Sequence, residues 1–339
     1  MEDTILAIVF CDNCHIGPLP GVSMEIKQLQ SLLAIADHGS FSAAARVLDT
    51  VQSNVSAHIS RLEKELGAVL VDRHRGVLTD EGDIVATRAR RIMHELEDID
   101  SDIHSLGDSA VGDSRIGTIG TTARWLMPRL LPTLGRTHPG VRMTVVESAT
   151  SSLVPLLNAG DIDAAIIHLP VEGDFEVREM FAESLLLVCN INHPLAGRSE
   201  ISIVELAEHP ILLAPSGTAQ RRILDRAAAS HRVSLRSQAE IDGVRLMASL
   251  AFEGFGAAIV PASAVPGWLQ GPFVRITVPE LPRRVVGWVQ RARPRPNRAT
   301  LAVRDAALAI VQRHGDRQPG VTVNVGAAPG KGPRQGASA

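Results

Sequence analysis

The chain has 339 residues, of which 45% are apolar and 21% charged, and its formal net charge is −3. That length is too great for one core and implies two or three domains. The charge gives no global basic signature for nucleic acid. The absence of tyrosine and the 3% aromatic content argue against a stacking platform for single strands or RNA.

Residues 1–23 read as an extension, with a short apolar run behind an acidic flank that is too brief for a signal peptide. Cys11, Cys14 and His15 have the spacing of a c-type haem attachment. That chemistry needs export, and no export signal is visible, so no cofactor or metal is expected. Three cysteines do not make a disulfide framework. No run approaches the roughly 18 apolar residues of a membrane span, and a cytoplasmic location is expected by default.

Ile26, Leu29, Leu32, Leu33 and Ile35 give a first helix its apolar face. Residues 41–67 then hold two short helical patterns. Phe41, Ala44, Ala45 and Leu48 line one, Val55, Ile59, Leu62 and Leu66 the other, and Asp49-Thr50 breaks them apart. Gly67 supplies the stop. The outer face of the second helix starts with Gln52, Ser53, Asn54, Ser56, Ala57 and His58, side chains small enough to approach base edges. The pair reads either as a helix-turn-helix or as an αα-hairpin in any helical domain.

Residues 24–82 decide between these by resemblance. The opening helix ends in Gly39-Ser40-Phe41, followed by the Ala-Ala-Ala helix, Gln52 with Ser56, and Arg61-Leu62-Glu63. Leu66-Gly67, Arg75-Gly76-Val77, Leu78-Thr79 and Gly82 complete an ordered run of matches. The segment resembles the N-terminal domain of LysR-type transcriptional regulators, and the chain to about His314 also fits that family. Met24 heads the resemblance, so residues 1–23 are expected to come from a start assigned too early or to be dispensable.

The resemblance implies base contacts from Gln52, Ser53, Ser56 and His58, and DNA-backbone contacts from Arg61, Arg73 and Arg75. The alternative for the last two is a solvated turn. The common family pattern has proline and a basic residue where this chain has Ser53 and Ala57, so its half-site preference is expected to differ. Anions outnumber cations by one between residues 24 and 80, so affinity must come from where the arginines sit.

Thr79 is placed to cap a long helix with Asp80, Glu81 and Asp83 at its positive end. Within it Val85, Ala89, Ile92, Leu96, Ile99, Ile103 and Leu106 recur at alternating spacings of four and three, a coiled-coil seam. A partner helix from a second copy would bury that seam. Packing onto the chain's own wing and first helix is the alternative.

Residues 107–113 are hinge-like in composition. Short apolar strands then alternate with helices, the α/β signature. By resemblance residues 114–314 form two lobes with two crossings, like a type 2 periplasmic-binding protein, and bind an effector in the cleft between them. Residues 315–339, rich in Gly, Pro and Ala, are expected to be disordered. The fold class is therefore α/β, with an N-terminal winged helix-turn-helix at 24–79, a linker helix at 80–106 and a two-lobed sensor.

Three turns in the sensor carry hydroxyls: Thr121-Thr122, Thr150-Ser151 and Ser216-Gly217-Thr218. Hydroxyls and amides at helix starts can hold an anion. By resemblance Thr121 and Thr150 align with effector-contacting positions, with Ser216 and Thr218 on the opposing lobe. Plain N-capping needs the same residues. Arg124, Arg221 and Arg222 lie nearby. Cys189 reads as a small core residue.

G-x-S-x-G, Walker A and H-E-x-x-H are missing from the sequence, so no catalytic residues and no enzyme are expected. The partners implied by resemblance are double-stranded DNA at promoter half-sites, a small-molecule effector for which an anion is one candidate, and further copies of the chain as homodimer and homotetramer. RNA polymerase contact is an additional option. The rival is a ligand-binding or catalytic domain whose N-terminal module serves only assembly.

Overall fold

Small residues where helices cross let backbones come close, and the N-terminal unit is built on that closeness. The structure, a computed structural model, describes residues 24–73, 75–104 and 110–323. The chain divides into two units between His94 and Glu95. In the first, α1 (Ile26–His38), α2 (Phe41–Val47) and α3 (Gln52–Leu66) bury Leu32, Ile35, Ala44, Ala45, Val55, Ile59 and Leu62 together. The Ser40 hydroxyl caps α2 by accepting from the Ala43 N–H. The break before α3 turns on Asp49 at φ 48°, a left-handed conformation that Asp tolerates better than most residues.

A wing follows, β1 (Val71–Asp72) antiparallel to β2 (Val77–Leu78). Thr79 then starts α4 (Asp80–His104), its hydroxyl accepting from Gly82 N–H and donating to Val69 O. The seam along α4 has two fates. Val85 and Ala89 turn into the first unit's own core beside Ala86, which corrects their assignment to a partner helix. Ile92, Leu96, Ile99 and Ile103 stay 42%, 36%, 62% and 62% exposed. Leu106 lies outside the described residues. A heptad period defines a stripe but not what covers it.

In the second unit β3 (Gly112–Thr118), α5 (Gly120–Thr137), β4 (Val141–Glu147), α6 (Thr150–Ala159), β5 (Ala164–Leu169) and β6 (Phe175–Glu183) form most of one lobe. The chain crosses at Ser184 into the second lobe. That lobe comprises β7 (Leu185–Asn190), α7 (Ile203–Leu206), β8 (Pro210–Leu213), α8 (Ala219–Ser230), β9 (Arg236–Glu240), α9 (Val244–Phe252), β10 (Ala257–Pro261) and β11 (Phe273–Thr277). It returns as β12 (Arg284–Arg291), α10 (Arg298–His314) and β13 (Val321–Val323). The first sheet runs β13-β6-β12-β5-β3-β4 and the second β11-β7-β10-β8-β9. This is the expected two-lobed plan.

Two expectations fail at its margins. Gly112 and Asp113 belong to β3, paired with Val141 and Arg142, rather than to a hinge. Residues 315–323 are ordered: β13 pairs with β6, and Val321 and Val323 are 7% and 9% exposed. The Gly- and Pro-rich composition there hid a three-residue strand whose alternate valines need cover. Residues 1–23, with Cys11, Cys14 and His15, and residues 324–339 lie outside the described residues. No helix among the described residues is long and apolar enough to cross a membrane.

Candidate nucleic-acid and effector sites

On α3, Gln52 and Ser53 are exposed and Ser56 half-buried. The Gln52 carbonyl oxygen accepts from the Ser42 hydroxyl at 2.9 Å, which steadies its side chain at the helix start. His58 is different. At about 100° per residue it lies roughly 60° from the Val55–Ile59–Leu62 axis. Its Nδ1 bonds to Ser31 Oγ at 2.8 Å, and Ser31 itself donates to Lys27 O. Half-buried, the ring is tied to α1 through Nδ1, which leaves Nε2 as the atom a base edge could meet.

The wing's arginines also part company. Arg73 donates to Ser56 at 3.0 Å, to Ser60 at 2.9 Å and to Glu63 at 3.2 Å, and sits over the Phe41 ring. It braces the wing against α3 while its side chain stays 45% exposed. Glu63 holds the same junction, its Oε1 accepting from the Leu70 and Val71 N–H groups. Arg75 and Arg61 are exposed, and neither forms an ion pair among the described residues. Gly76 has φ +69°, and a Cβ there would lie 2.4 Å from Gly39 O, so the wing tip is pressed against the start of α2.

The hydroxyl-bearing turns of the sensor differ once folded. Thr121 and Thr122 fall in the first turn of α5 and are buried, and Thr122 Oγ1 has no hydrogen-bond partner among the described residues. Thr150 opens α6, and its hydroxyl accepts from His168 N–H at 3.3 Å. Ser151 is exposed. In the second lobe Thr218 is the N-cap of α8, accepting from Arg221 N–H and donating to Pro215 O. Its hydroxyl proton is committed to Pro215 O and one lone pair to the helix start, so plain N-capping accounts for the residue without an effector. Among the described residues Ser216 reaches only Glu240, at 3.5 Å, and Arg221 is held by Glu240 and Asp225.

What meets the first lobe's turns is α9. Arg245, in its first turn, pairs with Glu147 at the end of β4, 2.5 Å apart. A Cβ on Gly120 would come within 2.6 Å of Glu147 Oε1 and 3.5 Å of Arg245 Nε. The starts of α5 and α9 and the end of β4 thus converge on one polar spot. The sequence reading missed Glu147 and Arg245, because nothing local marks two charges that meet from 98 residues apart.

Beside Thr150 lies a buried charge cluster, also missed. Arg284 Nη2 lies against His168 Nε2 and pairs with Glu183 Oε1 at 3.0 Å. Glu183 is fully buried, and its Oε2 accepts from Ser263 N–H at 2.9 Å. One carboxylate at the first crossing therefore ties β6 to the loop after β10. Burial, reinforced by the Arg284 charge, pushes the His168 imidazole down to about 2, so it is neutral. A lone histidine closing the apolar run Ala164–Leu169 was the available signal. Among the described residues no group of three or more His, Cys, Asp or Glu could hold a metal ion.

A helix-turn-helix with an outward polar face, continued through a long helix into a two-lobed sensor, defines a DNA-binding regulator with its own effector domain. The comparisons give the family. The pattern described as "Bacterial regulatory helix-turn-helix protein, lysR family" matches residues 26–83, and "LysR substrate binding domain" matches residues 107–312. The chain belongs to the LysR family and is a LysR-type DNA-binding transcriptional regulator. Such regulators bind DNA and small effectors and act as oligomers.

A probable hydrogen peroxide-inducible genes activator of Mycobacterium leprae is 32% identical over 294 residues, 83% of this chain and 88% of that one. The DNA-binding transcriptional dual regulator OxyR of Escherichia coli is 28% identical over 281 residues, 79% of this chain and 90% of the relative. Among solved structures, a full-length OxyR variant from Pseudomonas aeruginosa has a TM-score of 0.66 at 22% identity, covering 85% of this chain and 98% of its own. Full-length CbnR complexed with its target DNA gives 0.64 at 22%, covering 86% and 99%. At that identity the structures bear on the fold alone.

Proposed function

We propose that this regulator works in the cytoplasm as a homodimer, or a pair of dimers, that reads promoter half-sites through α3 and is switched by a small molecule held between the sensor lobes. Gln52, Ser53 and Ser56 read bases, and Arg61 and Arg75 hold phosphates. Ile92, Leu96, Ile99 and Ile103 meet their counterparts in a second copy; each left in water forgoes about 1.5–3 kcal/mol of burial. Contact with RNA polymerase is a further expectation of the family resemblance.

The observation that carries the effector reading is the meeting of Gly120, Glu147 and Arg245 beside the buried threonines of α5. An anion suits this spot. The N-cap of α9 is Gly243, with no side-chain hydrogen bond to the helix start, and Arg245 adds a cation that an anionic ligand would take over from Glu147, its partner here. A ligand there touches both lobes, so it can favour one arrangement over the other.

Some relatives are named for hydrogen peroxide. A thiol that meets peroxide directly must be accessible and readily ionised. Cys189 on β7 is fully buried, and burial raises its thiol to about 11. Cys11 and Cys14 lie outside the described residues. A reversibly bound ligand is favoured over oxidation of the sensor's thiol.

The test starts with genomic fragments of the source organism selected by binding. DNA binding is then titrated against metabolites made or used by the neighbouring genes, for wild type and Thr150→Val. The variant should bind DNA normally but need about ten- to hundredfold more ligand, the cost of a hydrogen bond to a charged group. An unchanged response in both Thr150→Val and Arg245→Gln would take the ligand out of the cleft.

A further inference from the structure

A hollow of about 590 Å³ runs between α5 and α10 on the first lobe, away from the turns described above. Its origin is local. Pro128 and Pro132 stand four apart inside α5, and neither can fill the space beside it with a long side chain. Each also removes the N–H that would satisfy a carbonyl one turn back. Opposite them α10 presents Ala302, Ala306 and Ala309, which are too short to close the gap. The floor is therefore apolar and narrow-shouldered, of a size that suits a small organic ligand.

The rim is cationic. Arg129 and Arg136 come from α5, Arg313 from α10, and His138 and His314 stand with them. Asp305 is the one acid in the lining and is already paired with Arg304 at 2.9 Å. Arg129 donates to Trp125 O; Arg136 and Arg313 form no ion pair among the described residues. His314 is held below the usual histidine range, first by burial and then by the charges of Arg129, Arg317 and Arg313. Basic residues in the last turns of α5 and α10 also complement the helix dipoles. That accounts for Arg136, Arg313 and His314 singly. It accounts neither for Arg129, in the middle of α5, nor for a hollow.

We propose that this hollow is a second ligand site, distinct from the interlobe cleft, for an alkyl or aryl carboxylate. Arg129, Arg136 and Arg313 receive the carboxylate, and the apolar body lies over the prolines and alanines. Inorganic anions satisfy the rim but not the floor.

The test is calorimetric titration of the full chain with benzoate, octanoate and inorganic phosphate. At least one carboxylate should bind saturably at one site and more tightly than phosphate. Arg136→Gln with Arg313→Gln should weaken it about tenfold, since both contacts are exposed. Ala306→Trp, which fills the hollow and keeps every cation, should abolish it in a chain whose circular dichroism is unchanged. Thr150→Val should leave it alone, which separates this site from the cleft. No carboxylate binding, binding that survives both the arginine pair and Ala306→Trp, or phosphate binding as well as the carboxylates would each overturn the proposal.

Discussion

Thr150 and Thr218 each stand where a strand gives way to a helix, one in each sensor lobe, and the fold uses them differently. Thr218 is itself the N-cap of α8, so its hydroxyl reaches the Arg221 N–H. For α6 the N-cap is Ala149, which places Thr150 one residue inside the helix with its hydroxyl turned to the His168 N–H of β5. A shift of one residue decides whether a threonine serves its own helix or is available to something else. The lobes differ below these turns as well. Thr150 is backed by the His168–Arg284–Glu183 cluster with its fully buried carboxylate, whereas the carboxylates near Thr218, Asp225 and Glu240, are 53% and 44% exposed.

The largest effect should come from that buried cluster. Glu183→Gln leaves the Arg284 charge buried without its carboxylate and should cost about 3–5 kcal/mol in denaturant unfolding. A loss below about 1 kcal/mol would mean that water reaches the pair and that the lobes are not so different. His168 gives the next effect. Its folded form refuses a proton that the unfolded chain accepts below pH ~6.5. The stability it contributes is thus present above that pH and lost as pH falls toward about 2. The slope should be at most about 1.4 kcal/mol per pH unit, and His168→Gln should remove it from the pH dependence of the unfolding midpoint.

Thr218→Ala should cost about 1 kcal/mol of stability, as cap losses do, with no change in ligand response. If Thr218→Ala shifts the response as far as Thr150→Val does, the distinction between the two turns collapses. Smallest of all, Glu147→Gln should cost below about 1 kcal/mol, because both side chains of its pair with Arg245 are more than a third exposed. A change in ligand midpoint larger than that stability change would sharpen the assignment of the pair to the cleft.

Much of this fold could be read in advance. The apolar stripes of α1, α2 and α3, the Thr79 cap and the Gly67 stop are local signals and sit where the spacing puts them, except at the stripe ends, where Ile26 and Leu66 stay 47% and 38% exposed. Readings that depended on partners far along the chain were harder. His58 carries the right chemistry for a base edge but has its Nδ1 taken by Ser31 on another helix. Arg73 and Ser56 were assigned separate DNA contacts and in fact bond to each other. Val85 and Ala89 share the period of Ile99 and Ile103 yet find cover at home. The apolar run of β12 was legible and went unused, and with it went Arg284, the cation that completes the cluster under Thr150.

The lobes also differ in how their strands are drawn from the chain. Every strand of the second sheet lies between Leu185 and Thr277, one uninterrupted stretch. The first sheet needs β12 between β6 and β5, α10 against β3 through the Ser114–Thr300 hydroxyl pair, and β13 on β6. Ser184, at the crossing, donates to Gly320 O at 2.8 Å. On a ribosome, the second lobe can close while the chain is still growing, but the first must wait for its final segment. Proteolysis of stalled nascent chains would follow the two events. A sensor built this way has no working cleft until synthesis is almost finished, whereas residues 24–94 have everything their own core requires from the outset, so on each new chain the reader of DNA is ready before the reader of the signal.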